Sequence, residues 1–188
     1  MSDTERERPE KIRLSKLQEV QVPELAKVEQ ATAAMYYELG FDAAEVPVRS
    51  QTDIVQLTRS HNVWVAEADY HVAGYCAFRD EAPGVAYVEE LSVHPDYQRF
   101  GVGRRLFEKI VEEARHLGLA AVVLKVWERA EWANAFYDAM GLQVLRDDAP
   151  PKVRKWLEER SAGQPFQRPG EGLRWIGVGS DDAEDADA

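Results

Sequence analysis

Residues 85–126 constrain the architecture most tightly. An apolar run, Val85 to Val93, leads into a turn-forming segment, and a helical pattern then spans 102–117. In that helix Val102, Leu106, Ile110, Ala114 and Leu117 mark one face, broadened by Phe107 and Val111, while Arg104, Glu108, Glu112 and Arg115 occupy the others. Gly118 ends the helix, and Ala120 to Val126 forms a second apolar run. The whole reads as a strand–helix–strand crossover with Val85–Val93 as the central strand.

The turn between strand and helix carries chemistry. It reads His94-Pro95-Asp96-Tyr97-Gln98-Arg99-Phe100-Gly101-Val102-Gly103-Arg104. Two glycines one residue apart let the backbone turn tightly and approach a ligand without Cβ interference. The free N–H groups of the following helical turn favour an anion such as phosphate. No Gly-Lys-Ser/Thr triplet follows, which argues against a nucleotide P-loop, and the third glycine of a dinucleotide fingerprint is missing.

Two segments in order resemble one family. Val93 to Leu106 resembles the acyl-coenzyme A signature of the GNAT (Gcn5-related N-acetyltransferase) superfamily, whose loop reads Gln/Arg-x-x-Gly-x-Gly/Ala; Gln98, Gly101 and Gly103 match it. Ala133-Asn134-Ala135-Phe136-Tyr137-Asp138-Ala139-Met140-Gly141-Leu142 resembles the family's Ala-x-x-Phe-Tyr-x-x-x-Gly-Phe segment. The resemblance covers about residues 60–145 and extends to the N-terminal helices. It implies an α/β (α+β) fold with a mixed, mostly antiparallel sheet flanked by helices, and acetyl-CoA as cosubstrate.

The same resemblance implies roles. The backbone of Leu91 and Val93, with Ser92 between them, would pair with the pantetheine arm, and the thioester would rest where the central strand and the Ala120–Val126 strand splay apart. Gln98 and the N–H groups of Arg99, Phe100, Gly101, Val102, Gly103 and Arg104 would form the pyrophosphate site. Arg99 and Arg104 either add charge there or serve only as solvated surface. Ala133 and Phe136 join the coenzyme-binding set, Phe136 also reading as core. Tyr137 resembles the tyrosine that hydrogen-bonds the coenzyme sulfur and protonates the departing thiolate.

The proton acceptor is narrowed to two adjacent acids, Glu89 and Glu90, in an otherwise apolar strand. Neighbouring strand residues face opposite ways, so Glu89 shares the face of Leu91 and Val93 unless a bulge intervenes. Its position looks like the strand glutamate with which polyamine acetyltransferases of the superfamily receive the amine. An acid paired with arginine or facing water explains the same residues, and Glu90 is the alternative base. Departures exist: relatives often carry Asn where this chain has Ala130, and ribosomal-protein N-acetyltransferases often carry Glu near Lys125. Tyr36, Tyr37, Asp42 and Glu45 lie where relatives place acceptor-binding elements. Trp127 and Trp132 fit either a pocket wall or edge packing.

Elsewhere the sequence predicts an edge strand over Ile12–Leu17, helices over Val22–Leu39, Thr52–Leu57, Glu131–Met140 and Val153–Glu159, and a strand pair Val63–Ala68 and Val72–Phe78 turning at Asp69-Tyr70-His71. Strands are expected at Gln143–Arg146 and Leu173–Val178, and a long loop over Ser161–Gly172. Residues 1–10 read as a flexible arm, 11–178 as one domain, and 179–188 as a disordered acidic tail. The net charge of −11 argues against nucleic-acid binding. No apolar run reaches the ~18 residues of a membrane helix, so no membrane partner and a cytoplasmic location are expected. Cys76, the sole cysteine, excludes an internal disulfide and lacks the partners of a covalent nucleophile; the scattered histidines give no metal spacing.

The sequence reading is therefore an acetyl-CoA-dependent N-acetyltransferase acting on a small primary amine, polyamine- or amino-acid-like, by direct attack on the thioester. A peptide or protein acceptor and a noncatalytic acyl-CoA-binding protein are the alternatives. A homodimer is compatible with the family.

Overall fold

The computed structural model describes residues 9–179. The acidic tail beyond Gly179 and residues 1–8 of the expected arm lie outside them; Pro9 is buried and Glu10 exposed. The chain divides into two compact units: residues up to Ala77 with Glu90–Lys109, and Phe78–Glu89 with residues from Ile110 onward. The strands follow the order β1-β2-β3-β4-β5-β7-β6, and β3 and β4 contribute to both units.

The first unit contains β1 (Ile12–Lys16), α1 (Val22–Glu38), α2 (Gln51–Ser60), β2 (Asn62–Ala68) and most of β3 (His71–Glu81). It also holds the end of β4 (Val85–Val93) and the start of α3 (Val102–His116). β1 pairs antiparallel with β2 from Ile12–Ala68 to Lys16–Trp64, at the sheet edge as expected. Leu25 and Val28 of α1, Ile54 and Leu57 of α2, and Val63, Val65, Val72 and Tyr75 of the strands form its core. Helix α2 starts one residue before the expected Thr52 because Ser50 and Asp53 form a capping box: Asp53 N donates to Ser50 Oγ (3.2 Å) and Ser50 N to Asp53 Oδ2 (3.1 Å). Asp69 and Tyr70 both adopt positive φ (50° and 67°), so two residues suffice to reverse the chain. His71, expected in that turn, belongs to β3.

The second unit adds β5 (Ala121–Trp127), α4 (Glu131–Ala139), β6 (Gln143–Val144), α5 (Pro151–Arg160) and β7 (Glu171–Gly177). β4 and β5 run parallel, pairing Val85–Ala121 through Val88–Leu124, which is the crossover read from the sequence. β7 runs antiparallel to β5 from Ala121–Gly177 to Trp127–Glu171 and carries β6 on its other side. Val85, Tyr87, Val123, Val153, Trp156 and Leu173 form this core, and the Phe166 ring meets both Tyr87 and Trp156 edge to face at 5.4 Å. The indole of Trp156 is satisfied by donating to Glu81 Oε2 (2.6 Å).

Several expectations need correction. Leu117 lies beyond α3 and is 52% exposed, because the helix ends at His116, two residues after Ala114, the last residue of its buried face. β3 runs three residues past Phe78; its polar end is held by the Arg79–Glu81 ion pair (2.6 Å) and by Trp156. β6 has two residues rather than four, and β7 begins inside the expected loop, at Glu171. Among the described residues, no helix is long and apolar enough to cross a membrane.

Gly74 on β3 lies against the backbone of β4, where an added Cβ would sit 2.6 Å from the Ser92 carbonyl oxygen. Since that oxygen belongs to a paired strand and cannot swing away, Gly74→Ala should cost about 2 kcal/mol of stability. Urea denaturation of the two proteins measures it.

Candidate active site

The segment leaving β4 folds into a compact, strained turn. Pro95–Tyr97 forms a single 3₁₀ turn, with Tyr97 N donating to His94 O (2.9 Å) and Asp96 N to His94 Nδ1 (3.3 Å). His94 is therefore part of the turn's structure, as expected. Arg99 adopts φ 68° and Gly101 φ 83°. Arg105 N then donates to Gly101 O (3.0 Å), opening α3. The N–H groups of Val102, Gly103 and Arg104 precede the first internal helical bond and project at the helix entrance. A Cβ on Gly101 would meet nothing within 4 Å, so the glycine answers a conformational need and leaves room for a ligand. Open space, a left-handed turn and a helix N-terminus fit a pyrophosphate.

The assigned loop residues divide by what their side chains do. Val102 is 1% exposed and is core. Phe100 is half-buried, and Arg99 and Arg104 are exposed, Arg104 lying 3.7 Å from Glu108. Gln98 faces inward: its Nε2 donates to Val93 O (3.1 Å) and lies 3.1 Å from Met35 Sδ. It ties the end of β4 to its own loop.

Next to this loop, within the same unit, is a cluster that the sequence reading missed. Arg49 Nη1 donates to Glu29 Oε1 (2.8 Å) and Glu90 Oε2 (2.6 Å), while Ser92 Oγ donates to Glu90 Oε1 (2.6 Å). Tyr75 OH donates to Glu29 Oε1. Burial raises the Glu29 carboxyl above its ordinary range and Glu90 adds to the effect, against Arg49 and Tyr75. Burial likewise raises the Tyr75 and Tyr36 phenols, reinforced by Glu90. Burial disfavours the charge of Arg49, but the two carboxylates outweigh it and hold the guanidinium protonated. One guanidinium faces two carboxyls, leaving an acid in excess. The available signal was Glu29 itself, an acid one residue after Val28 on the apolar face of α1.

Of Tyr36, Tyr37, Asp42 and Glu45, the Tyr36 phenol feels the Glu90 charge of this cluster, and the other three bond within the loop between α1 and α2. Tyr36 packs edge-on to Phe41, and Tyr37 OH donates to Val46 O (2.7 Å). Asp42 and Glu45 bond each other's backbone N–H groups at 2.9 Å. They hold the loop between α1 and α2.

Glu89, Ala133, Phe136 and Tyr137 belong to the second unit. The β4–β5 ladder stops at Val88–Leu124, so Glu89 and Lys125 are the first residues past it. Lys125 Nζ lies 3.5 Å from Glu171 Oε2 and 4.8 Å from the Phe166 ring. Burial opposes the charge on Glu171, yet bonds from Arg168 N (2.8 Å) and its guanidinium (2.7 Å and 2.9 Å), with Lys125, hold its pKa below the ordinary carboxylate value. Ala133 is buried on α4; Phe136 and Tyr137 are half-buried and meet edge to face at 5.2 Å. Trp127 has Arg168 over its ring (4.8 Å), and Trp132 is 39% exposed. Among the described residues, no group of three or more His, Cys, Asp or Glu could hold a metal ion.

Comparison with known proteins agrees with this fold. Residues 25–142 match the acetyltransferase (GNAT) family. The chain is 29% identical over 102 residues to the L-amino acid N-acyltransferase MnaT of Escherichia coli, covering 51% of this chain and 59% of that protein. It is 32% identical over 90 residues to the mycothiol acetyltransferase of Thermobifida fusca, covering 47% and 26%. The chain thus spans about three fifths of the first relative's length and about a quarter of the second's. Among solved structures, the PaiA N-acetyltransferase of Thermoplasma acidophilum in complex with coenzyme A superposes with TM-score 0.70 at 16% identity, covering 89% of this chain and 99% of that one. The ribosomal-protein-S18-alanine N-acetyltransferase of Escherichia coli gives 0.66 at 18% identity, covering 94% and 99%. The chain belongs to the GNAT acetyltransferase family.

Two measurements follow from the geometry. Gly101→Ala must hold alanine at φ 83°, so about 1 kcal/mol of stability should be lost despite the open space, with weaker coenzyme A binding by calorimetry. Glu171, with its folded pKa below the unfolded one, stabilises the protein fully above the ordinary carboxylate range, and that contribution is lost as pH falls through the folded value. Urea midpoints taken from about pH 7 to about pH 3 should therefore fall less steeply for Glu171→Gln than for the parent.

Proposed function

We propose that this chain is an acetyl-CoA-dependent N-acetyltransferase that acts on a small primary amine, polyamine- or amino-acid-like, without a covalent enzyme intermediate. The observation that carries the reading is the loop from Gln98 to Arg104, whose left-handed Gly101 and unbonded helical N–H groups suit a pyrophosphate. When bound, acetyl-CoA supplies the activated acyl thioester. The chain's own residues orient the amine, accept its proton and protonate the leaving sulfur.

Glu89 is the proton acceptor, directly or through water. Glu89 is the first β4 residue past the β4–β5 ladder and belongs to the same unit as Tyr137, which supports it as the acceptor, while the bonds of Glu90 to Arg49 and Ser92 support a charge-setting role for Glu90. The amine nitrogen attacks the acyl carbon, the C–S bond breaks, and the phenol of Tyr137 returns a proton to sulfur. Two relatives named as an L-amino acid N-acyltransferase and a mycothiol acetyltransferase support a small acceptor.

Steady-state thiol release from acetyl-CoA across polyamines, amino acids, aminoglycosides and short peptides tests the reading. A saturable small-amine acceptor is expected, with Tyr137→Phe lowering kcat roughly a hundredfold. Absence of coenzyme A binding would overturn it.

A further inference from the structure

Helix α4, which carries Tyr137, is weakly anchored by apolar contacts. It has nine residues, of which Ala133 is the buried one, and its N-cap, Ala130, offers no capping side chain. A helix this short does not hold its place through its own hydrogen bonds. Its anchor is polar. Arg174 on β7 has a buried side chain, 9% exposed, where β7 pairs with Leu124 of β5 on one side and Val144 of β6 on the other. Its Nε (3.1 Å) and Nη2 (3.0 Å) both donate to Asn134 Oδ1, and its Nη1 donates to Asp138 Oδ1. Asn134 and Asp138 are four residues apart and share one face of α4, with Tyr137 between them in sequence. The other end of the Asn134 amide donates to Trp127 O (2.9 Å), Glu128 O (3.1 Å) and Ala130 O (2.9 Å), the carbonyls of the strand end, the turn and the N-cap.

We infer that Arg174 is a positioning residue for Tyr137: through Asn134 and Asp138 it sets the height and rotation of α4 on β5 and β7, and hence where the phenol is presented. Burying a guanidinium is costly, and hydrophobic packing would hold a helix at least as firmly. What the planar fork adds is direction, since three N–H groups reach two acceptors one helical turn apart. The inference rests on the reading of Tyr137 as the group that meets the coenzyme sulfur.

The test uses the full chain labelled with ¹³C at the tyrosine ζ-carbons, the Tyr137 signal assigned by Y137F, and coenzyme A as the probe. Asp138→Asn loosens the exposed limb of the clamp without opening the core, and Arg174→Gln removes the fork. Coenzyme A should move the Tyr137 signal in the parent protein. In both variants that movement should shrink by more than about half, while the dissociation constant stays within roughly threefold. With the fastest amine from the panel, kcat should fall about tenfold to a hundredfold at near-constant KM for acetyl-CoA. The loss should largely vanish in the Y137F background. An undiminished Tyr137 shift in the variants, or kinetic losses that add to Y137F, would overturn the inference. If coenzyme A leaves the Tyr137 signal unmoved in the parent protein, the reading of Tyr137 fails, and the inference fails with it. Should Arg174→Gln not fold, Asp138→Asn decides alone.

Discussion

Four residue pairs, Val85–Ala121 through Val88–Leu124, hold the two parallel strands together, and much of the site's logic follows from where that ladder stops. Backbone N–H and C=O groups must be satisfied by something. Over the paired stretch the side chains on both strands are buried, and the neighbouring strand meets the requirement. Past Val88 the β4 sequence changes character at once, to Glu89, Glu90 and Ser92. Chemistry-bearing side chains therefore begin where the ladder ends. Such a strand can offer its edge to a ligand without giving up stability in its paired part.

The cluster around Arg49 shows how charge is kept inside a small fold at tolerable cost. A carboxylate as buried as Glu29 would be strongly disfavoured alone. Here it is bonded by Arg49 and Tyr75, and Arg49 in turn bonds Glu90. Arg49 comes from the segment just before α2, Glu29 from α1, Tyr75 from β3 and Glu90 from β4, so four separate stretches must assemble before any of these charges is compensated. Removing one partner leaves the others exposed to the full penalty of burial. The arrangement therefore makes the native packing of this unit specific.

The main features of the fold were legible because they rest on local pattern. The apolar period of α3, the apolar start of β4 from Val85 to Val88, and the paired glycines at the helix entrance are all short-range signals, and they lie where the sequence placed them. Family likeness then supplied the fold. What escaped the sequence depends on partners far along the chain. The inward turn of Gln98 toward Met35 spans 63 positions, and the Arg49–Glu90 pair spans 41. Neither residue type nor spacing announces such pairs. The polar end of β3 is hidden for the same reason, since Arg79 and Glu81 look like loop residues until Trp156 and Arg160 are present. Leu117 failed in the opposite direction: it keeps the helical period, but the helix ends before it.

The sole thiol bears on how the protein can be studied. Cys76 is fully buried on β3, its hydrogen directed to Leu106 O (3.8 Å), and burial pushes its pKa up to about 12. Thiolate is the species that reacts with disulfide dyes and maleimides. At neutral pH this protein presents almost none while folded. A colorimetric thiol reagent can therefore report liberated coenzyme A continuously, with the protein in the cuvette contributing no background. The same silence makes Cys76 a built-in unfolding reporter: labelling of the chain marks the moment when β3 opens.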